Sequence, residues 1–454
     1  MISRISIAVS LLLVIAPAAY PGEKVLVGSV LDVRSGELTD SGVVVIADER
    51  ITCVGETEEC EWPEEAEVHD YDDAVLMPGL IDTHVHLRAG FAPAFLAAGV
   101  TSVRDATSPL PEMQAARERT YAPRLQISGP MLDSSSSMLF MIGATGETPE
   151  EADLEEVEFL VTDSAEDAEE AVDMLAEAGV DWIKIHNRIP RVALDAAVER
   201  ARDHEIPVMM DLGMVASLGL MESEVDIVAG AESGARSNEH LSGLALAYQA
   251  REGDPLAEDL DDSLINEISA ELAEHDQAIV PTLALQMQLR DPEALRRSEF
   301  PAQAVLEEGM AGHMAGLAGM RERMADFVAA DAHLAESVME RLLDEDVLIA
   351  AGSDSPAGLY VYPGVGLHME LEALVRAGML PARAVRAATV DAAKLLGEDD
   401  IGLLESGAHA DVLVLSCDPS RDVGCVSEIE SVYFSGEKLD REKVVERIEL
   451  DQDK

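Results

Sequence analysis

Hydrophobic and polar positions divide the chain into two β-rich ends and a long alternating middle. Near the N-terminus, Lys24-Val25-Leu26-Val27-Gly28 and the runs 42–46 and 50–54 are separated by Gly, Ser and Asp, the pattern of short strands and turns. The pattern returns at 411–415 and 431–434. Between the ends, strand-sized apolar runs occur at 75–81, 100–104, 125–128, 182–185, 208–210, 236–238, 278–282 and 347–351. Helical periodicity follows most of them, as over 165–178, 192–204, 265–275 and 332–344. Eight strand-then-helix units predict an α/β protein, a closed parallel (β/α)8 TIM-like barrel whose chemistry sits at the strand C-terminal ends. An open doubly wound sheet is disfavoured because the chain has no Gly-rich phosphate turn. The Met- and Ala-rich insert 302–330 predicts helices over the barrel mouth, with its methionines used for packing.

Composition narrows the partners. The 454 residues are 48% hydrophobic, enough for a large core and against wholesale disorder. Lys+Arg 32 against Asp+Glu 89 gives a net charge of −57, which excludes nucleic acid and anionic membranes as partners. Only six of the cations are Lys, and the acids lie along most of the chain, a surface suited to high salt, where counterions screen self-repulsion. Arg4, the apolar run 5–15 and Ala16-Pro17-Ala18 predict a signal peptide over 1–18, and hence a secreted or periplasmic protein without lasting membrane insertion. An uncleaved N-terminal anchor is the alternative. Cys53, Cys60, Cys417 and Cys425 then suggest two disulfides. Three pairings are open, of which the local one is simplest.

The chemistry concentrates on strand ends. No Walker loop, His-Glu-x-x-His or Gly-x-Ser-x-Gly elbow is present. Instead Met77-Pro78-Gly79-Leu80-Ile81-Asp82-Thr83-His84-Val85-His86 closes the first barrel strand, and residues two apart on a strand share a face. His84 and His86 therefore point into the mouth together and suit a divalent cation such as zinc.

This stretch resembles the metal-dependent amidohydrolase superfamily, nearest to its imidazolonepropionase-like and dipeptidase-like branch. Ala178-Gly179-Val180-Asp181-Trp182-Ile183-Lys184, Ser237-Asn238-Glu239-His240-Leu241-Ser242-Gly243 and Ala351-Gly352-Ser353-Asp354-Ser355 resemble its fourth-, sixth- and eighth-strand motifs. The tail 384–419 resembles its closing helix and return strand. The resemblance implies a small β-sandwich formed from both chain ends, residues 22–76 and 402–450, around a barrel over 77–401. It also implies one or two metal ions: His84, His86 and Asp354 for the first, N-carboxylated Lys184 as bridge, and His240 for the second, with Asp354 as the catalytic proton carrier. The chain departs from the family at Asp211, which stands where a metal-binding histidine is usual; its carboxylate can ligate zinc in its place.

His186, Arg188, Tyr362 and His368 are the expected substrate-facing residues. Arg104, at the end of the second strand, is a further candidate for a substrate carboxylate. The expected activity is hydrolysis of a C–N bond by metal-activated water, in a dipeptide or N-acyl amino acid. A cyclic amide or imidazolone-type ring, and a metal-poor relative that binds without turnover, are the alternatives. A homo-oligomer is compatible with every reading.

Overall fold

A computed structural model describes residues 23–137, 139–140, 143–212, 223–297 and 299–448. The expected signal peptide lies outside these residues. The N-terminal end supplies β1 (Lys24–Asp32), β2 (Glu37–Ala47), β3 (Arg50–Glu56) and β4 (Glu67–Pro78). The barrel follows with β5 (Leu80–Val85), β6 (Val100–Asp105), β7 (Arg124–Gln126), β8 (Met131–Asp133), β9 (Gly146–Glu147), β10 (Phe159–Val161), β11 (Ile183–His186), β12 (Val208–Asp211), β13 (Ser237–Glu239) and β14 (Ala278–Val280). The chain then returns with β15 (Val412–Leu415), β16 (Ile429–Phe434) and β17 (Glu437–Lys438). Both ends join in one mixed sheet, ordered β17-β16-β15-β4-β1-β2-β3, which forms the β-sandwich. Cys53–Cys60 and Cys417–Cys425 form the two local disulfides.

One expected strand run is divided in two. A single strand was expected over 75–81, but β4 ends at Pro78 in the sandwich and β5 begins the barrel at Leu80. Pro78 lacks an N–H, and Gly79 donates its own to Asp411 O in the sandwich. A Cβ on Gly79 would lie 2.2 Å from Thr101 Oγ1, so only glycine lets the chain pass from one sheet to the other here.

The barrel closes through its eighth segment, which is thinner than expected. Residues 347–351 form only a bridge, Ile279 to Ile349, flanked by Ile279 N–H to Leu348 O and Ala350 N–H to Ile279 O. Thr83 N–H to Ala351 O and Asp354 N–H to His84 O then tie this segment to β5. The third strand is broken at Gly129-Pro130: β7 pairs with β6, and β8 with β11. Beyond β8, the short parallel strands β10 and β9 extend the sheet, an addition with no periodicity long enough to read in sequence.

Helices α1 (Ala92–Ala97), α2 (Leu110–Arg117), α3 (Ala165–Glu177), α4 (Arg191–Asp203), α5 (Ile227–Ser233), α6 (Leu244–Ala250) and α7 (Asp262–Ala273) wrap the first part of the barrel. They are followed by α8 (Leu283–Arg290), α9 (Gln303–Leu342), α10 (Val365–Arg376), α11 (Pro381–Ala387), α12 (Val390–Leu396) and α13 (Arg441–Val445). One apolar cluster, including Val85, Leu87, Val103, Ile185 and Leu371, fills the layer between strands and helices. The expected helices at 302–330 and 332–344 are one continuous 40-residue helix, α9, because no proline interrupts the segment. Met310 and Met314 are buried against Phe91, Tyr362 and Val365, in the packing role expected of them.

His368 corrects an expectation. It is buried on α10, and its Nε2 donates to the Ala98 carbonyl at 2.9 Å, at the end of α1. The ring is consumed by helix–helix packing rather than turned toward substrate. Burial, with the Arg297 charge, pushes this imidazole from 6.5 down to about 3. A lowered folded-state value means stability that is present above pH 6.5 and lost as pH falls toward 3. Relative to His368→Gln, the native protein is expected to lose up to about 1.4 kcal/mol of stability per pH unit below 6.5. Urea denaturation over a pH series checks this; a gap between the two proteins that does not change with pH would refute it.

Candidate metal centre

Strand alternation builds the centre. Val85 and Leu87 lie in the cluster between strands and helices, and His84 and His86 turn the other way, toward the barrel interior. Gly352 lets the eighth segment press against this strand, since a Cβ there would lie 2.8 Å from His84 Cβ. His84 is fully buried, and its Nδ1 lies 2.5 Å from Glu239 Oε2. Glu239 also accepts from Arg104 Nη2 at 2.9 and 2.8 Å and from Ser237 Oγ at 2.5 Å. Arg104 donates further to Thr83 O at 2.5 Å and Ser237 Oγ at 3.0 Å, with its guanidinium 4.5 Å above the Trp182 ring. Burial alone would raise the Glu239 carboxyl, but the Arg104 charge and His84 hold it well below the carboxylate range. An ionised Glu239 keeps the proton on His84 Nδ1, so Nε2 faces the centre bare.

Two carboxylates face these imidazoles. Asp354 Oδ1 lies 2.9 Å from His86 Nε2 and 3.4 Å from His84 Nε2. Asp211 Oδ2 lies 3.4 Å from His240 Nε2, 3.7 Å from Lys184 Nζ and 3.8 Å from His186 Nε2. Against burial, which would raise both carboxyls, neighbouring positive groups hold them low: His240 and His86 around Asp354, and His240 and Lys184 around Asp211. Burial would lower the His86 and His240 rings, yet Asp354 raises the first and Asp211 with Asp354 the second. His84 is lowered, by burial and by the Lys184 charge.

The donor set fits a divalent cation. Ligand atoms of His84, His240 and Asp354 all lie within 4.8 Å of one another. His84 Nε2, Asp354 Oδ1 and Lys184 Nζ are buried yet make no hydrogen bond among the described residues, a costly state unless something else satisfies them. Imidazole nitrogen and carboxylate oxygen are the ligands a zinc-like ion takes at about 2.0–2.2 Å. This His-His-Asp group can hold a metal, with Lys184 and Asp211 beside it.

Around the centre, Asp82 accepts from Ser353 N–H at 2.9 Å and Ser353 Oγ at 2.6 Å, and burial pushes its carboxyl up to about 7. Asp133 accepts from His186 Nδ1 at 3.0 Å and Arg188 N–H at 2.9 Å, which turns His186 Nε2 toward Asp211. The Arg188 guanidinium donates to Ser136 O at 2.8 Å. Tyr362 stacks on Phe300 at 5.1 Å in the buried wall under α9. Arg104, a sequence candidate for a substrate carboxylate, is instead spent inside the barrel on Glu239. Arg88 was missed. It is exposed, its backbone is extended (φ −114°, ψ 140°), and no acidic side chain among the described residues pairs with it. It stands two residues after His86, beyond the end of β5. The His86 side chain, 32% exposed, marks the open side of the centre next to Arg88.

The model of the Amidohydrolase family matches residues 75–445. The imidazolonepropionase of Deinococcus radiodurans is 35% identical over 103 residues, which span 22% of this chain and 25% of that protein's length. Among solved structures, a Xaa-Pro dipeptidase with methionine bound in its active site superposes with a TM-score of 0.67 at 18% identity, over 92% of this chain and 99% of the other. A prolidase complexed with N-methylphosphonate-L-proline gives 0.62 at 20% identity, over 92% and 99%. At these identities the two structures show the shared fold. With a barrel, a β-sandwich from both ends and a family match covering most of its length, the chain belongs to the amidohydrolase family, as a hydrolase acting on carbon–nitrogen bonds.

Proposed function

We propose that this protein is an exported zinc hydrolase of small peptide-like substrates, cleaving the amide bond of a dipeptide or N-acyl amino acid. The observation that carries the substrate class is Arg88, an exposed cation that pairs with no acidic side chain among the described residues of a strongly acidic chain and follows His86 just beyond the end of β5. A guanidinium there suits the carboxylate that every N-acyl amino acid presents. The dipeptidase and prolidase folds, one holding an amino acid and one a proline analogue, support the same class. The stretch similar to imidazolonepropionase favours a second reading, hydrolysis of an imidazolone-type ring, which also leaves a carboxylate to bind. The N-terminal apolar segment and the two disulfides support export, and no helix among the described residues is long and apolar enough to cross a membrane. The net charge of −57 supports a high-salt setting.

His84, His86 and Asp354 would hold one ion, and His240 with Asp211 a second. Lys184 would bridge them after its neutral amine adds CO2 and releases a proton, giving a carbamate. Its buried Nζ, without a hydrogen bond, supports this: a bare ammonium there is costly, and an anionic carbamate matches cations. Bound ions supply Lewis acidity, lowering the pKa of a water molecule to about 7 and polarising a carbonyl. Asp354 takes the proton of the attacking water and passes it to the leaving nitrogen. His186, oriented by Asp133, lies at the rim beside Asp211 and can donate to a substrate oxygen. Arg88 anchors the substrate carboxylate, and Tyr362 belongs to the apolar wall beneath α9.

Asp354→Asn is expected to lower kcat at least about 1,000-fold on N-acyl amino acids while the circular-dichroism melt stays close to native. Chelation should abolish turnover and added zinc restore it; undiminished turnover in a metal-stripped protein would sink the reading. Arg88→Met is expected to raise KM for N-acyl amino acids about 10- to 100-fold and to leave the matching C-terminal amides unchanged. Equal losses on both substrates would remove Arg88 from carboxylate recognition. Turnover of an imidazolone but of no linear amide would select the second reading.

A further inference from the structure

The N-terminus of α8 is capped from outside the helix, and the reason leads to His240. Thr282 occupies the N-cap position, where a threonine hydroxyl ordinarily accepts from a first-turn N–H. It makes no such bond here. Its backbone is left-handed (φ 46°, ψ 47°), an uncommon state for a β-branched residue, and its Oγ1 lies 2.6 Å from His240 Nδ1. An N–H group this leaves is taken by Glu370, fully buried on α10, whose Oε2 accepts from Ala284 at 2.7 Å. The same turn of α8 holds the His240 backbone, since Gln286 Nε2 donates to the His240 carbonyl at 2.8 Å.

We propose that Glu370 and Thr282 are positioning residues for His240. The Glu370 carboxyl group caps α8 through Oε2, which frees the Thr282 hydroxyl from capping. The hydroxyl then accepts from His240 Nδ1 and turns the bare Nε2 toward the centre. An imidazole that holds a cation needs one nitrogen without a proton, and an acceptor on the other nitrogen fixes that tautomer and the ring plane. Behind His84 the acceptor is a carboxylate, whereas behind His240 it is a neutral hydroxyl supported in turn by Glu370. The inference rests on the reading of His240 as a metal-holding residue.

Cobalt(II) titration of the metal-stripped full chain, followed by visible absorption, tests it without substrate. Thr282→Val keeps the β-branch and removes only the hydroxyl; it is expected to weaken cobalt binding about 10- to 100-fold and shift the bands, with a near-native melt. Thr282→Ser is expected to restore both. Glu370→Ala should weaken binding in the same way, and Glu370→Gln, which keeps an acceptor for the helix N–H groups, should stay close to native. His240→Ala separates the two levels of the argument. If it binds cobalt as the native protein does, the ligand reading fails. If it loses cobalt while Thr282→Val keeps native affinity and native bands, the positioning role alone is overturned. Thr282→Val is nearly isosteric, so it decides the matter even where Glu370→Ala does not fold.

Discussion

A charged pair buried in the barrel interior, Arg104 with Glu239, is the constraint on which the centre depends. Both side chains are fully inside the protein, where an unpaired charge is far from its solvent. The pair is tolerated because nearly every donor and acceptor is used: Thr83 O, Ser237 Oγ and His84 Nδ1 complete it, and Trp182 covers the guanidinium. Removing one partner of such a pair costs about 3–5 kcal/mol, mostly through the charge left behind. Arginine is needed rather than lysine, since its planar fork reaches Glu239, Ser237 and Thr83 at once. The pair thereby ties β5, β6 and β13 at the level where His84 leaves its strand.

The outcome is a centre in which carboxylates stay ionised beside rings that face inward. Asp354 and Asp211 are both held low by the positive groups around them, although each is buried. Asp211 adds a negative charge next to Lys184 and His240. A centre of that charge favours cations more strongly than a purely imidazole one, and the acidic exterior adds to the same field. Neighbouring groups thus outweigh the burial penalty of both acids, and the orphaned atoms His84 Nε2, Asp354 Oδ1 and Lys184 Nζ mark where the remaining electrostatic demand lies.

Much of this was legible in order along the chain. His84 and His86 could be paired because period-two alternation is a local property of a strand. Lys184 lies within β11, Asp211 ends β12, His240 follows β13 and Asp354 follows the eighth segment, each within a motif recognisable from its own neighbours. His368 was misjudged because helix periodicity says that one face is buried without saying against what. Its partner, Ala98 O, is 270 residues away in sequence. Arg104 was misjudged for the same reason, since the acid that claims it lies 135 residues away. The continuous α9 and the short β9 and β10 escaped because the boundaries of helices and short strands depend on what packs beside them.

The residues alone therefore determined the barrel, the β-rich ends and the shared face of His84 and His86 through local alternation and periodicity, while the sandwich drawn from both ends and the set of metal-holding side chains came from the resemblance of motifs. Tertiary structure decided which of those side chains are spent on one another. Arg104 goes to Glu239, Asp133 to His186, Thr282 to His240 and Glu370 to the end of α8. Such choices belong to contacts between distant segments, where burial makes an unmatched polar group costly and so selects its partner, and no local pattern carries that information.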